Sequence, residues 1–275
     1  MSSEKTVRFF NDGGFGNNLF QYFAAEIIKK IYKYDKVEPT PYINLEFNTV
    51  INDELFVKIV NEYIRGNIYE IDTAKDILLL GFFQRSEIFA HERDYIRSLF
   101  TKENNNYISN RIRISNIFKY QTNHTVKSSE NDLTIHIRLG DFYDKAENKT
   151  QIYDPEYLKN IIKTIEYDKL YIITDTIKED WEKEYIKEFE ELNPIILSGR
   201  LGDDFDFLLH SKKLLLSAST LGWLAGYLGD VTEVHIPYNS YYGGHNSPNQ
   251  SLAEFSPECK VYYDTEYWMP SNQNL

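Results

Sequence analysis

The stretch His136-Ile137-Arg138-Leu139-Gly140-Asp141 follows an apolar run, Leu133-Thr134-Ile135, and decides how the chain is read. The run has the composition of a short buried strand. A strand that delivers His, Arg and Asp within a few residues, then turns on a Gly, puts ionisable groups at its carboxyl end. In an open α/β sheet that end is where ligands bind. The Arg guanidinium offers a planar fork of donors suited to phosphate and stays charged at any working pH. An Arg–Asp ion pair capping the strand would use the same residues, and the stretch alone leaves both readings open.

Working outward, the carboxyl half alternates regularly. Strands are expected at Leu133–Arg138, Leu170–Thr174, Pro194–Leu197, Leu214–Ser217 and Glu233–Pro237, with helices between them. Asp154-Pro155 is an N-cap followed by Pro at the first helical position, and predicts a helix through Ile165. Phe205–Lys212 and Leu221–Leu228 read as two more. Such alternation predicts a parallel sheet with helices on both faces. Residues 239–250 read as a long surface loop.

Toward the amino end, Val7–Phe10 reads as a strand, Asp12–Asn17 as a Gly-rich turn, and the following residues as a helix. Leu19, Phe20, Phe23, Ala24, Ile27, Ile28 and Ile31 make its apolar stripe. Residues 33–75 are mixed and polar, with a weak helical pattern at Phe56–Ile64. Ile77–Phe83 looks like a buried strand; His91–Phe100 and Asn110–Phe118 look helical. The polar residues 119–130 read as a linker. The expected architecture is α/β, with two Rossmann-like domains, residues 1–125 and 126–275, facing across a cleft.

The 275 residues, 42% hydrophobic and 26% charged, allow one large or two medium domains with a sizeable core. A net charge of −12 argues against general nucleic-acid binding. A phosphorylated small molecule could still bind where a few cations are gathered, which puts weight on single Arg residues. No run approaches the roughly 20 apolar residues of a membrane span. The first strand comes so early that no signal peptide is expected, and the lone Cys259 gives no disulfide framework or metal cluster. The expected location is the cytoplasm.

Gly14-Phe15-Gly16 opens a helix after a strand, where glycines let a ligand approach and the helix end favours anions. A dinucleotide fingerprint needs a third Gly, but Leu19 stands there, although Asp35 lies at a suitable distance for the acid. Asn17 could touch a sugar or phosphate, or simply cap the helix. Asp204-Phe205-Asp206, with Asp203 beside it, resembles a D-x-D metal site. The cluster also opens a helix, where capping and the dipole favour acids, and one of them could accept hydrogen bonds from a base edge. Ser219 and Thr220 end a strand-to-helix junction that suits phosphate, or serve as caps.

Five segments in order resemble the family 11 α-1,2-fucosyltransferases. Gly13-Gly14-Phe15-Gly16-Asn17-Asn18-Leu19-Phe20-Gln21-Tyr22 is similar to their G-G-L-G-N-Q-x-F-Q-Y opening, and Gly81 to Phe89 to G-Y-x-Q-S-x-x-Y-F. His136 to Asp141 is similar to H-x-R-R-G-D, and Ile172-Ile173-Thr174-Asp175 to F-S-D-D. Asp206-Phe207-Leu208-Leu209 through Ser219 to Ala225 is similar to D-F-x-L-M through S-T-F-S-W-W-A.

The resemblance implies a GT-B fold, a GDP-fucose donor, a glycan acceptor, inversion at the anomeric carbon and no metal or other cofactor. It implies that Arg138 binds the diphosphate with His136 beside it, that Asn17 lies near the transferred sugar, that Asp204 or Asp206 meets guanine, and that Ser219 and Thr220 meet the phosphates; Gly14, Gly16 and Asp175 are expected among the other donor-binding residues. The base is expected to be Asp141, with Asp144 and Glu147 nearby, or absent in a dissociative mechanism. The chain departs from the pattern where Leu139 replaces the second Arg, Asn18 a Gln, Thr176 an Asp and Leu224 a Trp. Leu139 alternates with Arg138 and is expected to pack on the opposite face of the strand. Another GDP-deoxysugar as donor, or an NAD(P)-dependent oxidoreductase built on Gly14, Gly16 and Asp35, are the competing expectations.

Overall fold

A computed structural model of the chain describes residues 4–40, 47–100, 126–140, 143–144, 149–150, 152–237, 250–251, 256 and 259–262. Its contacts divide the chain into two compact units, residues 1–115 with 245–252, and residues 116–244 with 253–275. The sequence predicts one boundary, at 125/126, and no return of the chain to the first unit. Both units are α/β with parallel main sheets, the class expected.

In the first unit, strand β1 (Thr6–Phe10) leads through a Gly turn into helix α1 (Phe15–Tyr32). Val7 and Phe9 are fully buried, while Arg8 between them pairs with Asp76 and Glu38 at the sheet surface. The α1 helix ends on Lys33 in the left-handed conformation, with Lys29 and Lys30 in its last turn, where cations are favoured. Strands β2 (Lys36–Thr40) and β3 (Thr49–Ile51) follow, then helix α2 (Asp53–Ile64), β4 (Ile77–Leu79) and the two-residue β5 (Gln84–Arg85). Helices α3 (Ser86–His91) and α4 (Arg93–Leu99) complete the described part. The sheet order is β2-β1-β4-β3, all parallel.

Two strands lie inside the segment that reads as polar and irregular. The β2 strand escapes the apolar pattern because it is an edge strand, which can carry Pro39 without breaking a central ladder. The expected strand Ile77–Phe83 stops at Leu79, because Gly81 and Phe83 belong to a turn. The helix expected at Asn110–Phe118 lies outside the described residues.

The second unit is built on β6 (Leu133–Ile137), whose five residues are all buried, as expected of a strand covered on both faces. A short antiparallel pair, β7 (Tyr143–Asp144) and β8 (Lys149–Thr150), follows. Then come α5 (Pro155–Ile162), β9 (Leu170–Thr174), α6 (Asp180–Lys187), β10 (Ile195–Ser198), α7 (Leu201–His210), β11 (Lys213–Leu215), α8 (Thr220–Leu228) and β12 (Glu233–Pro237). The Asp154 carboxylate caps α5, accepting from Glu156 N at 2.8 Å. The strand β13 (Gln250–Ser251) pairs with β5 in the first unit, and β14 (Cys259–Tyr262) closes the second sheet.

The second sheet has the order β10-β9-β6-β11-β12-β14, parallel throughout. In chain order this is the doubly wound arrangement, with the reversal of direction between β6 and β11. Ligands bind such sheets outside the carboxyl ends of the strands at that reversal. One face of β6 sends Ile135 and Ile137, then Leu139 beyond the strand end, into an apolar core with Leu158, Ile162, Ile172 and Tyr185.

Candidate active site

A pocket of about 340 Å³ opens at the carboxyl edge of the second sheet. The turns after four strands meet there. His136, Arg138 and Gly140 come from β6 and its turn, and Asp175, Thr176 and Lys178 from the turn after β9. Gly199, Leu201 and Asp204 follow β10, and Leu221 lies in the first turn of α8, after β11. Arg138, His136, Asp175 and Asp204, four of the residues singled out in the sequence, therefore line one cavity.

Arg138 is about one-third exposed, and its Nε lies 3.4 Å from Asp175 Oδ2. The same carboxylate oxygen accepts from Leu139 N at 3.3 Å. Asp175 thus both aims the guanidinium and holds the turn after β6, so the ion pair anticipated for Arg138 is made with Asp175. Leu139 is 1% exposed, in the apolar core, as its alternation with Arg138 predicts.

His136 is 3% exposed, and burial, then the neighbouring Arg138 charge, bring its pKa down to about 3. It is a neutral imidazole at any physiological pH and adds no cation to the pocket. Its Nδ1 finds no hydrogen-bond partner among the described residues. A Cβ on Gly222 would sit 3.3 Å from that nitrogen, so the glycine lets α8 pack directly over the ring.

The acidic cluster is rearranged relative to expectation. The α7 helix starts at Leu201, four residues earlier than the sequence pattern suggests, which puts Asp203 and Asp204 in its first turn. Asp206 is two residues further on, about 200° round the helix from Asp204. Asp204 is buried and lines the pocket. Asp206 is not among the lining residues; it is partly exposed and lies 3.6 Å from His210 Nδ1. Asp203 turns to Arg200, at 3.6 Å. The three carboxylates diverge, and among the described residues no group of three or more His, Cys, Asp or Glu side chains could hold a metal ion.

Ser219 acts as a cap: its hydroxyl accepts from Leu221 N at 3.2 Å, and Thr220 begins α8. The start of this helix reaches the pocket through Leu221.

Two charged residues that line the pocket, Lys178 and Glu182, are not singled out in the sequence reading. Glu182 is 3% exposed. Its Oε1 accepts from Gly140 N at 3.3 Å, and its Oε2 from Lys178 N at 2.5 Å and Glu179 N at 2.8 Å. It ties the turn after β6 to the turn after β9. Burial pushes its carboxyl up, but the backbone N–H bonds from Glu179, Lys178 and Gly140 outweigh that and hold it below the ordinary range. The spacing Glu179-x-x-Glu182 is that of a capping box, which the helix does form, and is the signal that could have found it.

In the first unit Gly14 is the N-cap of α1, and Gly16 lies buried in its first turn. Asn17 Oδ1 accepts from Gln84 Nε2 at 3.0 Å. Gln21 Oε1 accepts from Asp12 N at 3.1 Å, and its Nε2 donates to Gly81 O at 3.3 Å. Phe83 has φ +56°, a conformation rare for a bulky side chain. Its N–H is captured by the buried Asp53 at 2.7 Å, and its ring packs on Phe56. Asp35 accepts from Lys5 N at 2.8 Å and precedes β2. It sits at the amino edge of the sheet, opposite the Gly turn, so the arrangement of a dinucleotide fingerprint is not formed. Asp141 and Glu147 lie outside the described residues, and Asp144 is in β7.

No helix among the described residues is long and apolar enough to cross a membrane. Comparison with curated protein sequences returns no match. Among solved structures, the chain is similar to POFUT1 in complex with GDP, at 8% identity and a TM-score of 0.43, covering 92% of this chain and 99% of that one. It is similar to the iron-containing dodecameric glycosyltransferase TibC from enterotoxigenic E. coli, at 11% identity and a TM-score of 0.43, covering 97% and 65%. A mutant of Arabidopsis thaliana FUT1 in complex with GDP gives 11% identity and a TM-score of 0.39, covering 90% and 71%. These TM-scores are below 0.5, so membership rests on the sequence. Residues 19–254 match the model of Glycosyl transferase family 11, and this protein belongs to that family.

Proposed function

We propose that this protein transfers L-fucose from GDP-fucose to a hydroxyl of a glycan, forming an α-1,2 linkage with inversion and without a metal ion. The observation that carries the reading is the pocket at the reversal of the second sheet, where Arg138 stands on a turn fixed by Asp175 and Glu182. As the bond to the sugar breaks, negative charge develops on the β-phosphate oxygen of the leaving GDP. A preorganised Arg fork, with the positive end of the α8 dipole beside it, is suited to that charge. The divergence of Asp203, Asp204 and Asp206 supports a reaction in which no cation bridges the phosphates. Asp204, in the pocket wall, takes the guanine edge in place of Asp206. Asn17 is assigned to the transferred sugar, and the acceptor proton goes to Asp141 or to a neighbouring carboxylate. The single cysteine suits a reducing compartment, and we place the reaction in the cytoplasm.

The test is nucleotide release and glycan transfer measured with GDP-fucose, other GDP-deoxysugars and UDP-sugars, in excess EDTA. GDP-fucose should be turned over fastest, with the new bond at a 2-hydroxyl. Faster use of another GDP-sugar would replace the donor, and recovery only on adding manganese would overturn the metal-free reaction.

A further inference from the structure

We infer that Lys178 supplies a second cation, beside Arg138, for the donor's diphosphate. The inference rests on the GDP-sugar reading of the pocket. The position after Arg138 holds Leu139, which is buried in the core on the other face of the strand and cannot be reached by a ligand. His136 is neutral. Among the described residues, the cations that line the pocket are Arg138 and Lys178, together with the carboxylates of Asp175, Glu182 and Asp204. Arg138 is already paired with Asp175. The Lys178 side chain is exposed, and its charge helps hold the Glu182 carboxyl down. Its backbone is nevertheless fixed, because its N–H is held by Glu182 at 2.5 Å. A diphosphate brought to this wall without Lys178 would meet, among the described residues, one paired cation against three carboxylates. With Lys178 it meets a mobile point charge on an anchored stem, the way Lys ordinarily serves phosphate.

The experiment is titration calorimetry of GDP, GMP and guanosine against the 275-residue chain and its K178M, K178R and R138A variants. K187M serves as a control that removes the same charge from an exposed position on α6, 61% accessible. K178M should weaken GDP about tenfold, GMP less and guanosine not at all, the loss of one charge-assisted contact. Its GDP affinity should also depend less on salt, and K178R should recover most of the loss. Equal GDP affinity in K178M and K187M, or an equal loss for guanosine, would overturn the inference. If R138A weakens GDP and K178M does not, only Lys178 is misassigned; if neither weakens it, the pocket itself is misread and both readings fall.

Discussion

At the carboxyl edge of the first sheet, beyond β1 and β4, the groups that meet are amides and backbone: Asn17 with Gln84, and Gln21 with Gly81 and Asp12. At the reversal of the second, between β6 and β11, they are charged: Arg138, Lys178, Asp175, Asp204 and Glu182. Both sites lie at the carboxyl edge of a parallel sheet, so topology explains where each lies and side chains explain what each can take. A neutral, hydrogen-bonded edge suits hydroxyl groups, and a charged one suits an anion. Each is pinned by one buried acid that accepts backbone N–H groups, Asp53 in the first unit and Glu182 in the second.

The largest effect should come from breaking the division of faces on β6. Leu139→Arg would push a guanidinium into the core beside Ile137 and Tyr185. An unpaired buried charge costs roughly 3–5 kcal/mol, so the melting temperature should fall steeply and GDP affinity should not improve. A stable variant that binds GDP more tightly would show that position 139 can reach the pocket after all. Arg138→Ala comes next. Removing a preorganised donor aimed at developing charge raises the barrier by about 2.7–4 kcal/mol, while a partly exposed side chain leaves the fold little changed. Near-normal turnover would remove the charged edge from catalysis. Asp204→Ala should weaken GDP more than UDP, by about 1.5–3 kcal/mol for each charge-assisted bond lost, whereas Asp206→Ala should affect both alike. The reverse pattern, read by calorimetry, would return the guanine contact to Asp206.

The sequence pattern made the second unit far more legible than the first. Strand β12 lies where Glu233–Pro237 predicts it, and strand β9 where Leu170–Thr174 does, the latter because a central, fully covered strand is a nearly continuous apolar run. The edge strand β2 with its Pro39 has no such run, and the turn at Gly81–Phe83 is set by Asp53, about 30 residues away in sequence. Local pattern cannot report a carboxylate arriving from another element. For the same reason Arg138, carried on the strand that defines the sheet, could be singled out, while Lys178, which reaches the pocket from the following crossover, could not, and Glu182 shows only as the second acid of a capping box. The choice between Asp204 and Asp206 depended on where α7 begins, and helix boundaries are the least certain part of a sequence reading.

The two pinning acids sharpen the comparison further, because their carboxyls are shifted in opposite directions. Burial raises Asp53, and the N–H bonds from Phe83 and Phe82 only partly offset it. For Glu182 the N–H bonds win. A lowered carboxyl contributes stability that is present above the unfolded value, near 4.5, and is lost as pH falls through the folded value. A raised one works the other way, with the folded form favoured at acid pH and the advantage lost as pH rises from the unfolded value, near 3.8, through the folded one. Glu182→Gln keeps one acceptor oxygen but loses the other, leaving buried N–H groups short of a partner, and should cost about 1–3 kcal/mol at neutral pH. Asp53→Asn keeps an acceptor for Phe83 N without burying a charge and should cost less than that. Urea denaturation of both variants from pH 3 to 8 reads the difference; equal losses at pH 7 would mean that the two acids do the same work.

The smallest effect tests whether the neutral edge is a coupled network or a set of neighbours. Gln84 is 1% exposed, and its Nε2 holds Asn17 Oδ1 at 3.0 Å. That bond fixes which end of the Asn17 amide is the oxygen, and leaves the nitrogen on the side of Gly13, where any Cβ would collide with it. If the pair matters, Asn17→Ala and Gln84→Ala should each cost more alone than in the presence of the other. The coupling energy of the double-mutant cycle should be about 0.5–1.5 kcal/mol, the net worth of one neutral hydrogen bond. Strictly additive losses would mean that Asn17 is placed by the Gly turn and helix α1 alone. The first edge would then owe its shape to backbone, and the contrast with the second would lie in which kind of chain segment, turn or side chain, does the positioning.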